Sequence, residues 1–267
     1  MDQKVFCALR DIIYRESGIT LNDRKRLLLA NRIKKRLRAL DLNNEREYLE
    51  IIELDVEGRE LAHLIDAIST NHTFFFREKA HFDFLEKVLE EYRSASKGEV
   101  KIWCAAASSG EEPYTIAMVA EEVLGGSSCN VRILATDICL DVLKQALRGC
   151  YRESQLREMP PELRAKYFIP LESSSERLVQ VRDSLKKKVL YKKLNLAKFP
   201  YPLKGPLDII FCRNVMIYFD DELRSRIVTE FKRLLRPGGY LIVGHSEALS
   251  AANHGMETVQ SAVYRKV

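Results

Sequence analysis

The 267-residue sequence holds no C-x-x-C pair, and none of its five histidines stands at zinc-finger spacing from a cysteine. Zinc ribbons and fingers are thereby excluded. The six cysteines (Cys7, Cys104, Cys129, Cys139, Cys150, Cys212) are expected as reduced, mostly buried thiols in a reducing compartment. His72 and His245 lack a second ligand pattern and are assigned core or surface polar roles, so no metal is expected. No apolar run reaches the ~20 residues that span a bilayer, so no membrane insertion is expected. The opening MDQKVFCALRDIIYRESG breaks its apolar residues with charge every few positions, unlike a signal or transit peptide. The expected location is the cytoplasm. Glycine is scarce, at 12 residues, and G-x-G-x-x-G is absent. That disfavours a nicotinamide-dependent oxidoreductase. Neither an internal repeat nor a long low-complexity segment is found.

What is present is an ordinary globular composition. Hydrophobic residues make up 46% and charged residues 30% of the chain. A disordered chain, a collagen-like fibre and a disulfide miniprotein are excluded. Lys+Arg number 43 against 38 Asp+Glu, a net charge of +5 that is too weak to name nucleic acid as a partner. The length fits one large domain or two small ones.

Residues 1–68 contain no proline, and their apolar positions recur every three or four residues, as in Ile33, Leu37 and Leu40. This predicts helices throughout. Charge is segregated here. Arg24 to Arg38 carries eight basic and no acidic residues, whereas Asp41 to Asp66 carries nine acidic residues against Arg46 and Arg59. Lys25, Arg32 and Arg36 line one side of a helix. That face is either solvated or a docking surface for an acidic partner.

From Ser69 onward the pattern alternates strand and helix, as an α/β domain does. Strands are expected at Val100–Ala105, Val131–Asp137, Val189–Leu194, Leu207–Cys212 and Tyr240–Gly244. Helices are expected near 111–124, 141–147 and 221–235, the last stopped by Arg236-Pro237-Gly238-Gly239. Residues 256–265 suit an edge hairpin. Residues 150–188 fit the alternation poorly and are expected to form a small inserted subdomain.

Ligands of an open parallel sheet bind at the carboxyl ends of its central strands. After the first strand come Ala105-Ala106-Ala107-Ser108-Ser109-Gly110-Glu111-Glu112-Pro113. This is either a tight turn or a close-approach loop for a ligand. Two glutamates there repel pyrophosphate and suit an ammonium or sulfonium. Asp137, 27 residues past Gly110, is placed either to accept ribose hydroxyls or to cap the next helix. Arg213-Asn214, after the fourth strand, is a site pair or a loop cap. Asn71, Thr73 and Arg77 bracket three adjacent phenylalanines that read as packing.

The segments STNHTFFFRE, WCAAASSGEEPYTIAM, ATDICLDVLKQALRGCY, FCRNVMIYFD and LLRPGGYLIVGHSE occur in order over nearly the whole chain. Together they resemble the bacterial chemotaxis receptor methyltransferases of CheR type, and NDRKRLLLANRIKKRLRAL resembles that family's N-terminal helical domain. The resemblance implies a helical receptor-docking domain over 1–68, followed over 69–267 by a Rossmann-like class I methyltransferase domain. That domain would have a mostly parallel sheet with an antiparallel edge hairpin, and an inserted β subdomain near 150–188. It implies transfer of methyl from S-adenosylmethionine to receptor glutamates, giving methyl esters and leaving S-adenosylhomocysteine. Cofactor contacts would come from Asn71, Thr73, Arg77, Glu112 or Glu111, Asp137, Asn195, Leu196, Arg213 and Asn214. Arg77 and Tyr218 would lie beside the transferable methyl as the catalytic pair. Arg32, Lys35, Arg36 and Arg38 would meet the cytoplasmic domains of methyl-accepting receptors. A monomer that binds no nucleic acid is expected.

Members that tether to a receptor's C-terminal pentapeptide carry several glycines between the Tyr-Phe and Leu-Val of the insert. From Tyr167-Phe168 to Leu178-Val179 this chain has none, which favours direct docking. A glutamate nucleophile, with a pKa near ~4.3, is ionised at neutral pH and needs no general base. The lack of a Ser-His-Asp or Cys-His arrangement is therefore expected. Alternative readings are an S-adenosylmethionine-dependent RNA methyltransferase and a non-catalytic cofactor-sensing module.

Overall fold

The computed structural model describes residues 1–95, 98–172, 177–249 and 255–267. Its N-terminal part is helical: α1 (Gln3–Ser17), α2 (Arg26–Ala39), α3 (Glu45–Glu53) and α4 (Arg59–Ile68). Asp2 caps α1 by accepting from the Val5 N–H. The helix buries Val5, Phe6, Leu9, Ile12 and Ile13, a stripe at helical spacing. Asn44 caps α3 by accepting from Arg46 and Glu47 N–H. Then follow α5 (Ala80–Ser94), β1 (Glu99–Cys104), α6 (Glu111–Leu124), β2 (Asn130–Asp137) and α7 (Leu140–Arg148). The next segment holds β3 (Cys150–Arg152), α8 (Pro161–Tyr167), β4 (Phe168–Leu171), β5 (Leu178–Val181) and α9 (Asp183–Lys186). The chain ends with β6 (Val189–Lys193), β7 (Leu207–Cys212), α10 (Asp221–Leu234), β8 (Leu235–Val243), β9 (Glu257–Gln260) and β10 (Val263–Arg265).

The main sheet has the order β6-β2-β1-β7-β8-β10-β9. Its first five strands are parallel; β10 and β9 add an antiparallel hairpin at one edge. The chain winds outward from β1 to β2 and β6, then returns to the other side of β1 with β7. The switch point therefore lies between β1 and β7, where such sheets open a crevice at their carboxyl ends. Alternate residues of these strands enter opposite cores. Ile102, Cys104, Ile209 and Phe211 face one side, with α5, α6 and the insert. Trp103, Ile210 and Cys212 face the other, with α10 and the N-terminal helices. Trp103 packs edge-on against Tyr201 and Phe231, and its indole N–H donates to Thr136 Oγ1 at 2.9 Å.

The N-terminal helices thus share one continuous core with the back of the sheet. Gly18 fixes this junction. Its φ of +74° ends α1, and a Cβ there would meet Leu223 Cδ2 at 2.2 Å.

Two features differ from the sequence expectations, and the insert takes the expected β form. Helix α5 has no counterpart among those expectations, which take the segment before β1 only as the packing phenylalanines and the residues that bracket them. Strand β8 starts at Leu235: Leu207 pairs with Leu235 and Ile209 with Tyr240, so Arg236–Gly239 bulges within the strand rather than preceding it. The insert forms a separate sheet of order β3-β5-β4, built by antiparallel pairing. Within its glycine-free stretch, Ser173–Glu176 lie outside the described residues.

In the helical part, Arg36 forms a two-pronged pair with Glu60, Nε to Oε1 at 2.8 Å and Nη2 to Oε2 at 2.6 Å. The buried Tyr48 hydroxyl donates to the same Oε1 at 2.8 Å. Glu60→Ala removes the acceptor shared by both donors. A loss of about 2–3 kcal/mol is expected, read as a lower urea midpoint at unchanged m. A loss below about 0.5 kcal/mol would make the pair an ordinary surface bridge.

Candidate functional site

At the carboxyl ends of β1, β2 and β7 lies a cleft of about 910 Å³, including its open mouth. It is lined from the sheet by Ala105, Ala106, Ser108, Glu112, Asp137, Arg213 and Asn214. Asn71, Thr73 and Arg77 line it from the segment between α4 and α5, and Leu194, Asn195, Leu196 and Tyr218 complete the wall. Every cofactor-contact and catalytic candidate named from the sequence reaches this cleft except Glu111.

Glu111 is 1% exposed and turns toward the insert, where it accepts from Ser109 Oγ at 2.6 Å and faces Gln155 Nε2 at 3.4 Å. Burial raises its carboxyl, and the Ser109 hydroxyl offsets this only in part. Glu112, the next residue on α6, points into the cleft instead. Successive helical residues lie about 100° apart, which separates the two carboxylates.

Glu112 is held by Arg213, whose side chain is 1% exposed: Nη1 donates to Glu112 Oε2 at 2.6 Å. Cys104 Sγ donates to the other oxygen at 3.2 Å. Arg213 Nη2 lies 3.2 Å from Glu78 Oε2 and donates to the Arg77 carbonyl. One buried guanidinium thus ties the end of β7 to the start of α6 and to the segment carrying Arg77.

Asp137 accepts from Ser108 N–H at 2.8 Å and Cys139 N–H at 2.9 Å, one bond to each oxygen. Each oxygen keeps a lone pair for a hydroxyl in the cleft. Burial raises the Asp137 carboxyl, offset in part by those amides. The loop before it is tight: Gly110 has φ +101°, and a Cβ there would meet the Tyr151 hydroxyl at 2.7 Å. Tyr151 in turn donates to the Ser109 carbonyl at 2.8 Å.

Arg77 is half-buried. Its Nη1 donates to the His72 carbonyl at 2.8 Å, and its guanidinium lies 5.8 Å from the Phe74 ring centre. Asn195 donates its amide to the Glu16 carbonyl at 2.6 Å, so its side chain anchors α1 while its flank borders the cleft. The Tyr218 carbonyl accepts from both Thr20 N–H and Thr20 Oγ1, at 2.8 and 2.9 Å.

Several contributors had no sequence signal. Ser17, Ile19, Ile68, Ser69 and Thr70 place the N-terminal helices in the cleft wall. Glu247, 7% exposed, accepts from the N–H groups of Asn214, Gly244 and Ile217. It pins the turn that carries Asn214, whose φ is +58°, and Tyr218. Glu78 accepts from the Asn214 amide at 3.2 Å. Burial pushes its carboxyl up, but the Asn214 amide and Arg213 outweigh it and leave it below the ordinary range. All of these are long-range contacts that no local pattern announces.

The four basic residues named for docking divide into two pairs. Arg32 donates to the carbonyls of Ile68, Ser69 and Ala67 and to Thr70 Oγ1, closing the end of α4 where the chain enters the cleft. Arg36 is paired with Glu60. Lys35 and Arg38 are exposed on α2.

The residues fit S-adenosylmethionine. One carboxylate, Glu112, suits an ammonium group; another, Asp137, suits a ribose diol; and the small residues 105–108 let backbone approach closely. Comparison with known proteins agrees. The model of the CheR methyltransferase SAM binding domain matches residues 71–265, and that of the CheR methyltransferase all-alpha domain matches 4–69. A chemotaxis protein methyltransferase of Borreliella burgdorferi is 41% identical over 262 residues, covering 96% of this chain and 91% of that protein. That of Salmonella typhimurium is 41% identical, covering 92% of this chain and 84% of that protein. Among solved structures, an rRNA methylase from Streptococcus thermophilus overlaps 63% of this chain and 70% of its own, at 11% identity and a TM-score of 0.36.

Burial raises the Glu247 carboxyl, and its three backbone donors offset this only in part. A raised folded pKa favours the folded chain below the unfolded pKa, and that contribution is lost as pH rises through the folded value. The stability of wild type relative to Glu247→Gln, which does not titrate, should therefore fall as pH rises toward neutrality. Urea unfolding at a series of pH values reads it; a pH-independent gap contradicts it.

Proposed function

We infer the methyl acceptor from family membership: this chain belongs to the CheR methyltransferase family and is an S-adenosylmethionine-dependent methyltransferase of chemotaxis. The acceptor is the side-chain carboxylate of specific glutamates on the cytoplasmic domains of chemotaxis receptors. The enzyme works in the cytoplasm and engages those receptors directly, without a C-terminal pentapeptide. The observation that carries this reading is the half-buried Arg77 in the wall of the same cleft as Tyr218, a cation open to an incoming carboxylate. Arg213, the other guanidinium there, is already committed to Glu112, Glu78 and the Arg77 carbonyl.

The bound cofactor supplies a methyl group activated by its sulfonium. The protein's share is positioning. Glu112, oriented by Arg213, holds the cofactor's amino group, and Asp137 takes the ribose hydroxyls. Asn71, Thr73 and Asn214 add polar contacts, and Asn195 with Leu196 borders the adenine. Arg77 steers the acceptor carboxylate by a charge-assisted hydrogen bond, and Tyr218 shapes the pocket around it. Alignment of this kind is worth up to ~7–11 kcal/mol in favourable systems. An ionised carboxylate is the nucleophile, so no proton has to be removed. The product ester is neutral, which lowers repulsion between neighbouring receptor helices and biases their signalling equilibrium. The segment 1–68 is the docking domain, and Lys35 and Arg38 are its available cations.

Transfer of tritiated methyl to receptor-enriched membranes, as a base-labile product, tests the reading; transfer to RNA but not receptor overturns it. In the same assay Arg77→Ala should lower kcat/KM about 100-fold, while Kd for the cofactor changes by less than about tenfold. Equal losses in both would remove the steering role. The double reversal Lys35→Glu with Arg38→Glu should raise KM for receptor, most at low salt, and leave cofactor Kd unchanged. An unaltered KM makes that face merely solvated.

A further inference from the structure

Behind the cleft lies a buried group that the fold alone does not satisfy. His81, in the first turn of α5, is 0% exposed, and neither ring nitrogen makes a hydrogen bond. Such a group is costly and calls for a partner. Two side chains converge on it. Its Nδ1 lies 3.4 Å from Glu78 Oε2, outside hydrogen-bond geometry, and His245 Nδ1 lies 3.6 Å from the same oxygen. The two imidazole centres are 4.6 Å apart. One ligand atom from each of the three residues falls within 4.8 Å of the others.

Around a tetrahedral zinc ion, bonds of about 2.0–2.1 Å put neighbouring ligand atoms about 3.3 Å apart. Glu78 Oε2 already stands near that spacing from Nδ1 of each histidine, at 3.4 and 3.6 Å. The surrounding charge suits a cation as well. Glu112 and Glu78 flank Arg213, and Glu247 joins them through the Asn214 backbone, so the network holds three carboxylates and one guanidinium.

We propose that Glu78, His81 and His245 form a binding site for one divalent metal ion of the zinc type, with water completing its shell. Two imidazoles and a carboxylate are the donor set that zinc accepts with an open fourth position. Magnesium and calcium want all-oxygen shells. Glu78 Oε2 also faces Arg213 Nη2 at 3.2 Å. Metal entry exchanges that ion pair for a metal–oxygen bond and leaves Arg213 on Glu112 and the Arg77 carbonyl. The ion then ties the segment after Arg77 to the turn before Glu247, fixing two loops that carry cleft residues. The site is independent of which acceptor is methylated. A second acidic cluster, His63, Asp66 and Asp141, is open to solvent and contains no buried unpartnered group; it serves as the control.

The test uses the full chain, stripped with a chelator and titrated with Co²⁺ and with Zn²⁺. A visible Co²⁺ absorption band and a Zn²⁺-dependent rise in Tm are expected. His245→Ala, at a half-exposed side chain, should lose the band and weaken Zn²⁺ binding roughly tenfold or more, while His63→Ala should retain both. Circular dichroism of the metal-free variant checks its fold, and His245→Gln replaces it if it does not fold. The proposal is overturned if wild type shows no band, if neither His245 variant changes binding, or if binding is lost in His63→Ala instead.

Discussion

The cleft depends on the burial of one cation. Arg213 carries a full charge in a place with 1% side-chain exposure, where an unpaired charge would cost several kcal/mol. It is tolerable only because two carboxylates and a carbonyl surround it. The dependence runs both ways. Glu112 and Glu78 would repel each other without the guanidinium between them, and the Phe82 ring, 5.4 Å below it, excludes water from one side. The switch point of the sheet brings these groups together, because only there do β1 and β7 leave their ends adjacent with helices running away on both sides.

That constraint reaches into the N-terminal helices, which form part of the wall. Three polar links join them to the site: Arg32 on the carbonyls at the end of α4, Asn195 on the Glu16 carbonyl, and Thr20 on the Tyr218 carbonyl. Below these the helices and α10 share one core. A load on the outer face of α2, where Lys35 and Arg38 project, therefore acts on the same helix that holds the entry to the cleft through Arg32. The docking face proposed for α2 and the entry to the cleft thus share one helix.

How much of this was legible in the sequence depended on the range of the interaction. Asp137 and Arg213 stood out because a strand pattern ended on them and a polar residue at such an end is poor core material. Glu112 could not be told from Glu111 by composition; helical rotation separates them, and which one faces inward depends on how α6 packs against the insert. The basic face of α2 looked uniform, yet Arg32 and Arg36 have partners about 36 and 24 residues away, and no periodicity reveals them. Glu78 and Glu247 close two of the segments that carry the resemblance, yet nothing local shows what they bind, and His81 lies outside those segments. Arg236–Gly239 does follow the end of α10 as expected, but the strand already begins at Leu235 and takes these residues in as a bulge, which Pro-Gly-Gly does not announce.

The division of labour between the two arginines follows from these contacts. A guanidinium held by two carboxylates has little field left for a third, so Arg213 organises and does not attract. Among the described residues the Arg77 guanidinium is held by a carbonyl and an aromatic face and not by a carboxylate, so its charge is felt at the cleft. An acceptor that arrives as an anion is drawn by that charge yet not neutralised by a tight pair, which would blunt it as a nucleophile. A site that had to deprotonate its acceptor would need a base with a raised pKa at the same spot. Three carboxyls that burial does raise, Glu111, Asp137 and Glu247, are instead bound to backbone or serine donors. Their arrangement serves shape, and with the carboxylate acceptor proposed above the chemistry is left to alignment.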